Sequence, residues 1–182
     1  MSKPPPRKLD PIAALLSYLI PGFGQIYQGR VGKGILFLVC LLGLFFYGMW
    51  LGNFKNVYIP HTDTHQNVVF KSGVLGDLEN RLHYVGQFWV GMAAWPAIAQ
   101  YVSYDSANPQ APNKVLGVWE SAPSEQELNN LQRDGDKHWD LGWVYTVIAG
   151  ALNFLVIYDA FAGPAVREAP PTDAAPKEPA AA

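Results

Sequence analysis

The residues best suited to chemistry in this sequence are a few polar side chains that interrupt long apolar stretches. Asp159 is a carboxylate in such a stretch, where a buried charge is costly enough to indicate ion or proton handling. It also lies 19 residues beyond Asp140, near the far end of a helix, where pairing with a Lys or Arg would make it a structural anchor. The anchor is the favoured interpretation. Gln25 and Asn153 are amides in apolar stretches, and we expect them to hydrogen-bond between helices.

Two basic residues lie within a glycine-rich turn. Arg30 and Lys33 lie within Gly29-Arg30-Val31-Gly32-Lys33-Gly34. Long basic side chains can keep their stems on apolar surface while the charge reaches phosphate headgroups. We interpret Arg30 and Lys33 as contacts with lipid headgroups, although two charges are few for a dedicated lipid site.

No metal, cofactor or catalytic residue is predicted. The pattern His61-x-Asp63-x-His65 would put three zinc-like ligands on one face of a strand. It supplies three ligands at most, and the threonines and proline around it are typical of a polar turn. No nucleophile elbow, His-Glu-x-x-His pair or phosphate loop occurs. We therefore do not expect an enzyme.

The elements that position these residues follow from where charge is absent. Only 15% of the residues are charged, and four long segments have no Asp, Glu, Lys or Arg. These segments contain 19, 21, 23 and 18 residues and cover 11–29, 34–54, 82–104 and 141–158. A helix of about 20 apolar residues matches the thickness of a bilayer. A soluble bundle is the alternative, but residues 34–51 are apolar on every side of a helix.

We therefore predict an all-α membrane protein, a polytopic helical bundle with four transmembrane helices. The four transmembrane helices are expected at about 11–28 and 34–54, which form a hairpin over 11–54, and at 84–104 and 141–163. Polar loops are expected at 55–83 and at 105–140, the second with a short amphipathic helix at about 125–133. The two ends are expected to be disordered tails, a basic and Pro-rich one at 1–10 and another at 164–182. A Ser124-x-x-Glu127 capping box opens the amphipathic helix. A short strand pair at 56–59 and 67–71 is also possible within the first loop.

The first predicted helix contains a helix breaker. Pro21 removes a backbone hydrogen bond and clashes with the preceding turn, so a kink or break is expected near Ile20. A kinked span and a re-entrant hairpin both fit, and the distribution of basic residues does not separate them. Both place the N-terminus in the cytoplasm, and the four-span alternative is preferred.

Composition also limits the partners. A net charge of −2 gives no basic surface for nucleic acid. The single Cys40 excludes a disulfide framework and is interpreted as a small packing residue. Gly48-x-x-x-Gly52 permits close helix contact and, more weakly, dimerisation. The expected partners are the bilayer and either another protein or further copies of this chain.

Two segments resemble known membrane families. The run PGFGQIYQGRVGKG, followed by an apolar helix, resembles the hairpin of the small two-transmembrane-helix domain across residues 11–54. The segment GWVYTVIAGALN with the later YDA and GP resembles a bacterial family of small four-helix membrane proteins of unknown function. The resemblance implies the topology of a bacterial inner-membrane protein. It gives no information about activity. The expected function is a structural or interaction module, and the alternative is a solute, ion or proton pathway formed by an oligomer.

Overall fold

The computed structural model describes residues 9–60, 76–78, 81–103, 115–117, 119–134 and 137–163. The helices that position the site, numbered here in chain order, are α1 Pro11–Leu19, α2 Phe23–Tyr27, α3 Val31–Leu51, α4 Leu82–Phe88, a 3-10 turn at Met92–Ala94, α5 Pro96–Val102, α6 Glu125–Asp134 and α7 Lys137–Ala162. No strand occurs in these ranges, which confirms the predicted all-α class for them. Residues 56–59 have no strand structure. Outside the described ranges lie the second predicted strand at 67–71, His61, Asp63, His65, residues 1–8 of the first predicted tail and the second predicted tail at 164–182.

Two long helices form the centre of the fold. α3 and α7 are antiparallel, because Lys33 near the start of α3 meets Asp159 near the end of α7, while Gly48 meets Gly142 at the other end. A Cβ atom added to either glycine would lie 2.7 Å from the carbonyl oxygen of the other, so the absence of side chains permits backbone contact. Among the described helices, α3 and α7 are long and apolar enough to cross a membrane.

The first predicted span, 11–28, is two short helices that form a hairpin. Ile20 is extended, and Gly22 has a φ of 84°, so the chain reverses around Pro21. The N–H of Asp10 donates to the carbonyl of Phe161 (2.9 Å), and Gln28 Nε2 donates to the carbonyl of Ala160 (2.7 Å). Both ends of this first hairpin therefore lie at the same end of α7. The structure therefore has a hairpin here rather than the single kinked helix of the preferred interpretation.

The third predicted span, 84–104, is also interrupted. Gly91, with a φ of 91°, separates α4 from the 3-10 turn and α5, and a Cβ atom there would lie 1.8 Å from the carbonyl oxygen of Tyr18. Tyr84 Oη donates to the carbonyl of Ala94 (2.8 Å), which brings the two arms together. His83 packs edge-on against Trp143 with ring centroids 4.2 Å apart. This second hairpin therefore starts at the opposite end of α7 from the first, and the two tips meet at Gly91.

The segments after α3 and before α7 lie together. The N–H of Glu120 donates to the carbonyl of Phe54 (2.8 Å), and Lys55 Nζ lies 2.7 Å from Glu127 Oε1. Four spans would place Lys55 and Glu127 on opposite sides of a membrane. The structure therefore has two candidate spans where the sequence predicts four, because a window without charges does not distinguish a straight helix from a hairpin.

Elsewhere the helix boundaries differ modestly from those expected. α3 runs over Val31–Leu51 rather than 34–54, and α7 begins at Lys137 rather than 141. Ser124 and Glu127 form the reciprocal cap of α6, with N–H to side-chain distances of 3.1 and 3.3 Å. The buried core lies between α3, α4, α5 and α7 and consists of Phe45, Met49, Val57, Ile59, Tyr84, Val90, Ala94, Ala97 and Ala149.

Candidate functional site

The first polar cluster is centred on Asp159. Its carboxylate lies 2.7 Å from Lys33 Nζ and 2.9 Å from Arg30 Nη2. The turn after α2 supplies Arg30, and the first turn of α3 supplies Lys33. The three side chains are partly exposed, from 20% for Arg30 to 39% for Lys33, so the cluster lies at the edge of the bundle.

Gln25 joins Asp159 to the first hairpin. Its Nε2 donates to Asp159 Oδ2 (3.2 Å) and to the carbonyl of Val156 (2.9 Å). Its Oε1 accepts a hydrogen bond from Ser17 Oγ (3.0 Å), which itself accepts from the N–H of Gly24 (3.1 Å). Gln25 is fully buried and all its polar atoms are paired. The glutamine of the PGFGQ run therefore fastens α1, α2 and α7 to one another.

Asn153 joins both hairpins to α7. Its Nδ2 donates to the carbonyl of Ser17 in α1 (3.1 Å) and to the carbonyl of Trp89 after α4 (2.8 Å). The side chain is fully buried, and its Oδ1 has no partner in the described part of the chain. The two hairpin tips therefore meet at the level of Asn153 along α7.

The five polar residues singled out from the sequence thus form one connected arrangement. Asp159, Arg30, Lys33 and Gln25 are in direct contact, and Asn153 reaches Gln25 through Ser17. Arg30 and Lys33 are not simply extended toward solvent, since both pair with Asp159. The sequence predicts a Lys or Arg partner for Asp159 but does not identify it, because the paired residues are more than 120 positions apart.

A second polar cluster lies at the other end of α7. Arg81 Nη1 donates to Tyr58 Oη, and the guanidinium lies 3.6 Å from the centre of that ring. Arg81 Nη2 and Gln87 Nε2 both donate to the carbonyl of Asn56 (3.2 Å each), and Gln87 Nε2 also donates to Thr146 Oγ1 (2.7 Å). Burial lowers the pKa of Arg81 and raises that of Tyr58. This cluster fixes the loop after α3 against α4 and α7.

Glu120 is the residue that the sequence reasoning missed. Its side chain is fully buried, its Oε2 accepts from the N–H of Ala97 (2.8 Å), and its Oε1 has no partner among the described residues. Burial raises the pKa of its carboxyl to about 8, although the hydrogen bond from Ala97 and the nearby side chain of Trp119 oppose the shift. The only signal in the sequence was one acidic residue between Trp119 and Ser121, in a segment interpreted as a polar loop.

Two further sequence interpretations change. Cys40 is exposed on α3 rather than packed inside. The glycine motif is used within the chain, because Gly48 packs against Gly142, and a Cβ atom at Gly52 would lie 2.4 Å from the side chain of Asn56. In the described ranges no group of three His, Cys, Asp or Glu side chains could hold a metal ion.

The fold and its polar clusters define a class: an all-helical protein with two candidate membrane-spanning helices and two hairpins packed against them. The chain belongs to a family of unknown function, DUF6677, whose model matches residues 12–171. It is also 68% identical over 28 residues to an uncharacterized protein of Methanocaldococcus jannaschii, MJ1516. That match covers 15% of this chain and 28% of the archaeal protein. No solved structure matches the chain.

Proposed function

We propose that this chain is an integral membrane protein in which α3 and α7 cross the bilayer and the two hairpins enter it from opposite sides. The supporting observation is the exposure of large apolar side chains along both long helices. The exposed side chains include Ile35, Leu36, Val39, Phe46, Trp50, Ile148, Leu152, Phe154, Leu155 and Tyr158. Only 28% and 33% of the most apolar segments of α3 and α7 are buried, whereas the core helix of a soluble protein is mostly buried. Lipid would cover this surface.

The hairpins fit the same environment. Irregular backbone at membrane depth is tolerated where protein surrounds it. At the first tip, a Cβ atom on Gly22 would lie 2.1 Å from the carbonyl oxygen of Gly34, and at the second, Gly91 contacts the backbone of Tyr18. Both tips are therefore packed against protein.

Within the membrane, the arrangement favours a structural or interaction module. The carboxylate of Asp159 is held by a lysine, an arginine and a glutamine, so it is engaged in anchoring the hairpin. Between Thr146 and Asn153 the backbones are in contact, since a Cβ atom on Gly150 would lie 2.0 Å from the carbonyl oxygen of Gly86. This close backbone contact lies between the two polar clusters.

The membrane assignment is tested with the lone native cysteine. Cys40 lies at the middle of α3 with its side chain exposed, so lipid would shield it from a maleimide in intact membranes. We expect labelling only after denaturation in detergent, and we expect the protein to resist alkaline extraction from membranes. Gly32→Cys is the matched control, because Gly32 lies at the start of α3, is exposed and has open space around it. Rapid labelling of Cys40 in buffer without detergent would refute the assignment.

The second candidate is a small-solute, ion or proton pathway formed by an oligomer. Asn153 supports it, because its unpaired Oδ1 lies where the two hairpin tips meet. In liposomes, an ion flux abolished by Asp159→Asn and Asn153→Leu with assembly intact would favour this pathway. Loss of folding or of assembly in the same variants would favour the structural module.

The partner and the location follow from the structural proposal. We propose the cytoplasmic membrane with the N-terminus in the cytoplasm, where anionic headgroups would contact the net positive cluster of Arg30, Lys33 and Asp159. Purification from native membranes in mild detergent, followed by mass spectrometry, identifies any stoichiometric protein partner. A homogeneous oligomer without another protein would shift the assignment toward self-association and the pathway.

A further inference from the structure

Glu120 holds a short segment, residues 119–124, against the second hairpin; we name this segment the strap. The N–H of Glu120 donates to the carbonyl of Phe54 (2.8 Å), and its carboxyl accepts from the N–H of Ala97 at the start of α5 (2.8 Å). The ring of Trp119 stacks on that of Phe54 with centroids 5.0 Å apart. Gln100 Nε2 donates to the carbonyl of Trp119 (2.9 Å). The strap is therefore fastened to the end of α3 and to α5.

The backbone at this junction is strained. Glu120 has a φ of 51°, and Asn53 and Phe54, which lie opposite it, have φ values of 51° and 60°. Residues other than glycine adopt this region rarely, and only where the surroundings enforce it. The docked position of the strap is thus imposed by its contacts and does not reflect a relaxed local conformation.

Among the residues that the structure describes, no cation pairs with the carboxyl of Glu120. Tyr84 of α4 faces it with a neutral phenol whose Oη donates to the carbonyl of Ala94. Of the cations on the adjoining segments, Lys55 pairs with Glu127, and Arg81 bonds to Tyr58 and Asn56. An ionised carboxylate buried without a cation is strongly disfavoured, and such a group takes up a proton instead.

The unpaired atoms indicate where that proton belongs. Two buried acceptors at the strap have no partner in the described part of the chain, namely Glu120 Oε1 and Gln100 Oε1. The other carboxyl oxygen, Oε2, already accepts from Ala97. A proton on Oε1 would neutralise the buried carboxyl at the oxygen that accepts no hydrogen bond. We propose that Glu120 is a proton-binding site and that the bound proton locks the strap onto the second hairpin.

The direction of the pH dependence follows from linkage. Docking raises the pKa of Glu120 from its ordinary value of 4.5 to about 8, so the docked strap binds more protons than the released strap between these values. Release therefore becomes easier as pH rises through this window, by up to about tenfold per pH unit. Above about pH 8 both forms are ionised, and the dependence levels off. Glu120→Gln keeps a neutral side chain of similar shape and removes this dependence.

Hydrogen exchange in the full chain, purified in detergent, measures release directly. The readout is the exchange rate of peptides covering the strap in the wild type, divided by the rate in Glu120→Gln at the same pH, which cancels the intrinsic pH effect. We expect this ratio to rise steeply from about pH 5 to about pH 8 and then to level off. Glu127→Gln, which changes an exposed carboxyl that caps Ser124 and pairs with Lys55, should retain the pH dependence of the wild type even if the absolute rate shifts. A ratio that stays constant with pH would overturn the proposal.

Infrared titration of the wild type gives a readout that needs no variant to fold. A protonated carboxyl has a distinct C=O stretch, and exposed acids lose it near pH 4, their ordinary pKa. We expect one C=O band per chain to disappear near pH 8, and to be absent from Glu120→Gln wherever that variant folds. If no carboxyl band titrates between about pH 6 and pH 9, Glu120 does not bind the proton and the proposal fails.

Discussion

Asp159 contacts three side chains, those of Arg30, Lys33 and Gln25, and this number favours a structural role for its carboxylate. A single pair at the edge of a bundle contributes little, because water and side-chain entropy compete with it. Here the same carboxylate also joins Gln25, whose other bonds reach Ser17 and Val156. Loss of the charge therefore affects the connection between the first hairpin and α7, as well as one ion pair.

At the scale of this residue, Asp159→Asn is expected to lower stability by roughly 1–2 kcal/mol. The amide retains the size of the carboxylate but leaves Arg30 and Lys33 without their counter-charge. The matched control is Glu127→Gln, which breaks an exposed pair with Lys55 at the other end and should cost under about 1 kcal/mol. Thermal unfolding in detergent, followed by circular dichroism, compares them. Equal midpoints for the two variants would show that Asp159 has no special structural weight.

The same residues show how far sequence reasoning extends. The sequence predicts hydrogen-bond or ion-pair partners for Gln25, Asn153 and Asp159, because polar groups in apolar stretches need them. The structure shows such partners for all three residues. Their identities depended on the path of the chain between distant segments, which the sequence does not state. Glu120 was missed because its burial comes from contacts with Phe54 and Ala97 and not from its neighbours in sequence.

At the scale of helices, glycine determines which surfaces meet. Hydropathy correctly marked apolar segments of sufficient length, but it did not mark where the chain reverses within them. The reversals occur at Gly22 and Gly91, whose φ values of 84° and 91° exclude most other residues. The sequence predicts a break at Pro21, but it predicts none at Gly91, which lies within a segment of 23 uncharged residues. The second hairpin was therefore the harder one to predict.

Helix contact through glycine yields a paired prediction. A Cβ atom on Gly150 would lie 2.0 Å from the carbonyl oxygen of Gly86, so Gly150→Ala must push α4 away from α7 at a cost of about 1–3 kcal/mol. Gly43 lies within α3 with open space around it, so Gly43→Ala should be neutral or stabilise by up to about 1 kcal/mol through its helix propensity. When the two variants are measured side by side, the unfolding midpoint of Gly150→Ala should fall and that of Gly43→Ala should stay the same or rise. A Gly150→Ala midpoint at or above that of the wild type would contradict the close contact.

For the whole molecule, the proposed membrane insertion predicts how many times the chain crosses the bilayer. Residues near the start of the first hairpin and near the start of α3 lie at one end of the bundle, since Asp10 bonds to Phe161 and Lys33 pairs with Asp159. The strap lies at the other end, with Glu120 bonded to Phe54 beyond the end of α3. Three positions therefore distinguish the topologies, namely Leu9, Gly32 and Ala122, all of which are exposed.

Each topology gives its own labelling pattern when single cysteines replace these residues in a Cys40→Ser background. Two spans with two hairpins place Leu9→Cys and Gly32→Cys on one side of the membrane and Ala122→Cys on the other. Four spans separate Leu9→Cys from the other two, and three spans after a re-entrant first segment place all three together. We expect the first pattern from a membrane-impermeant maleimide applied to right-side-out and inverted vesicles. Finding Gly32→Cys and Ala122→Cys on the same side would contradict the second hairpin, because only a chain that reverses at Gly91 keeps the strap at the end of α3.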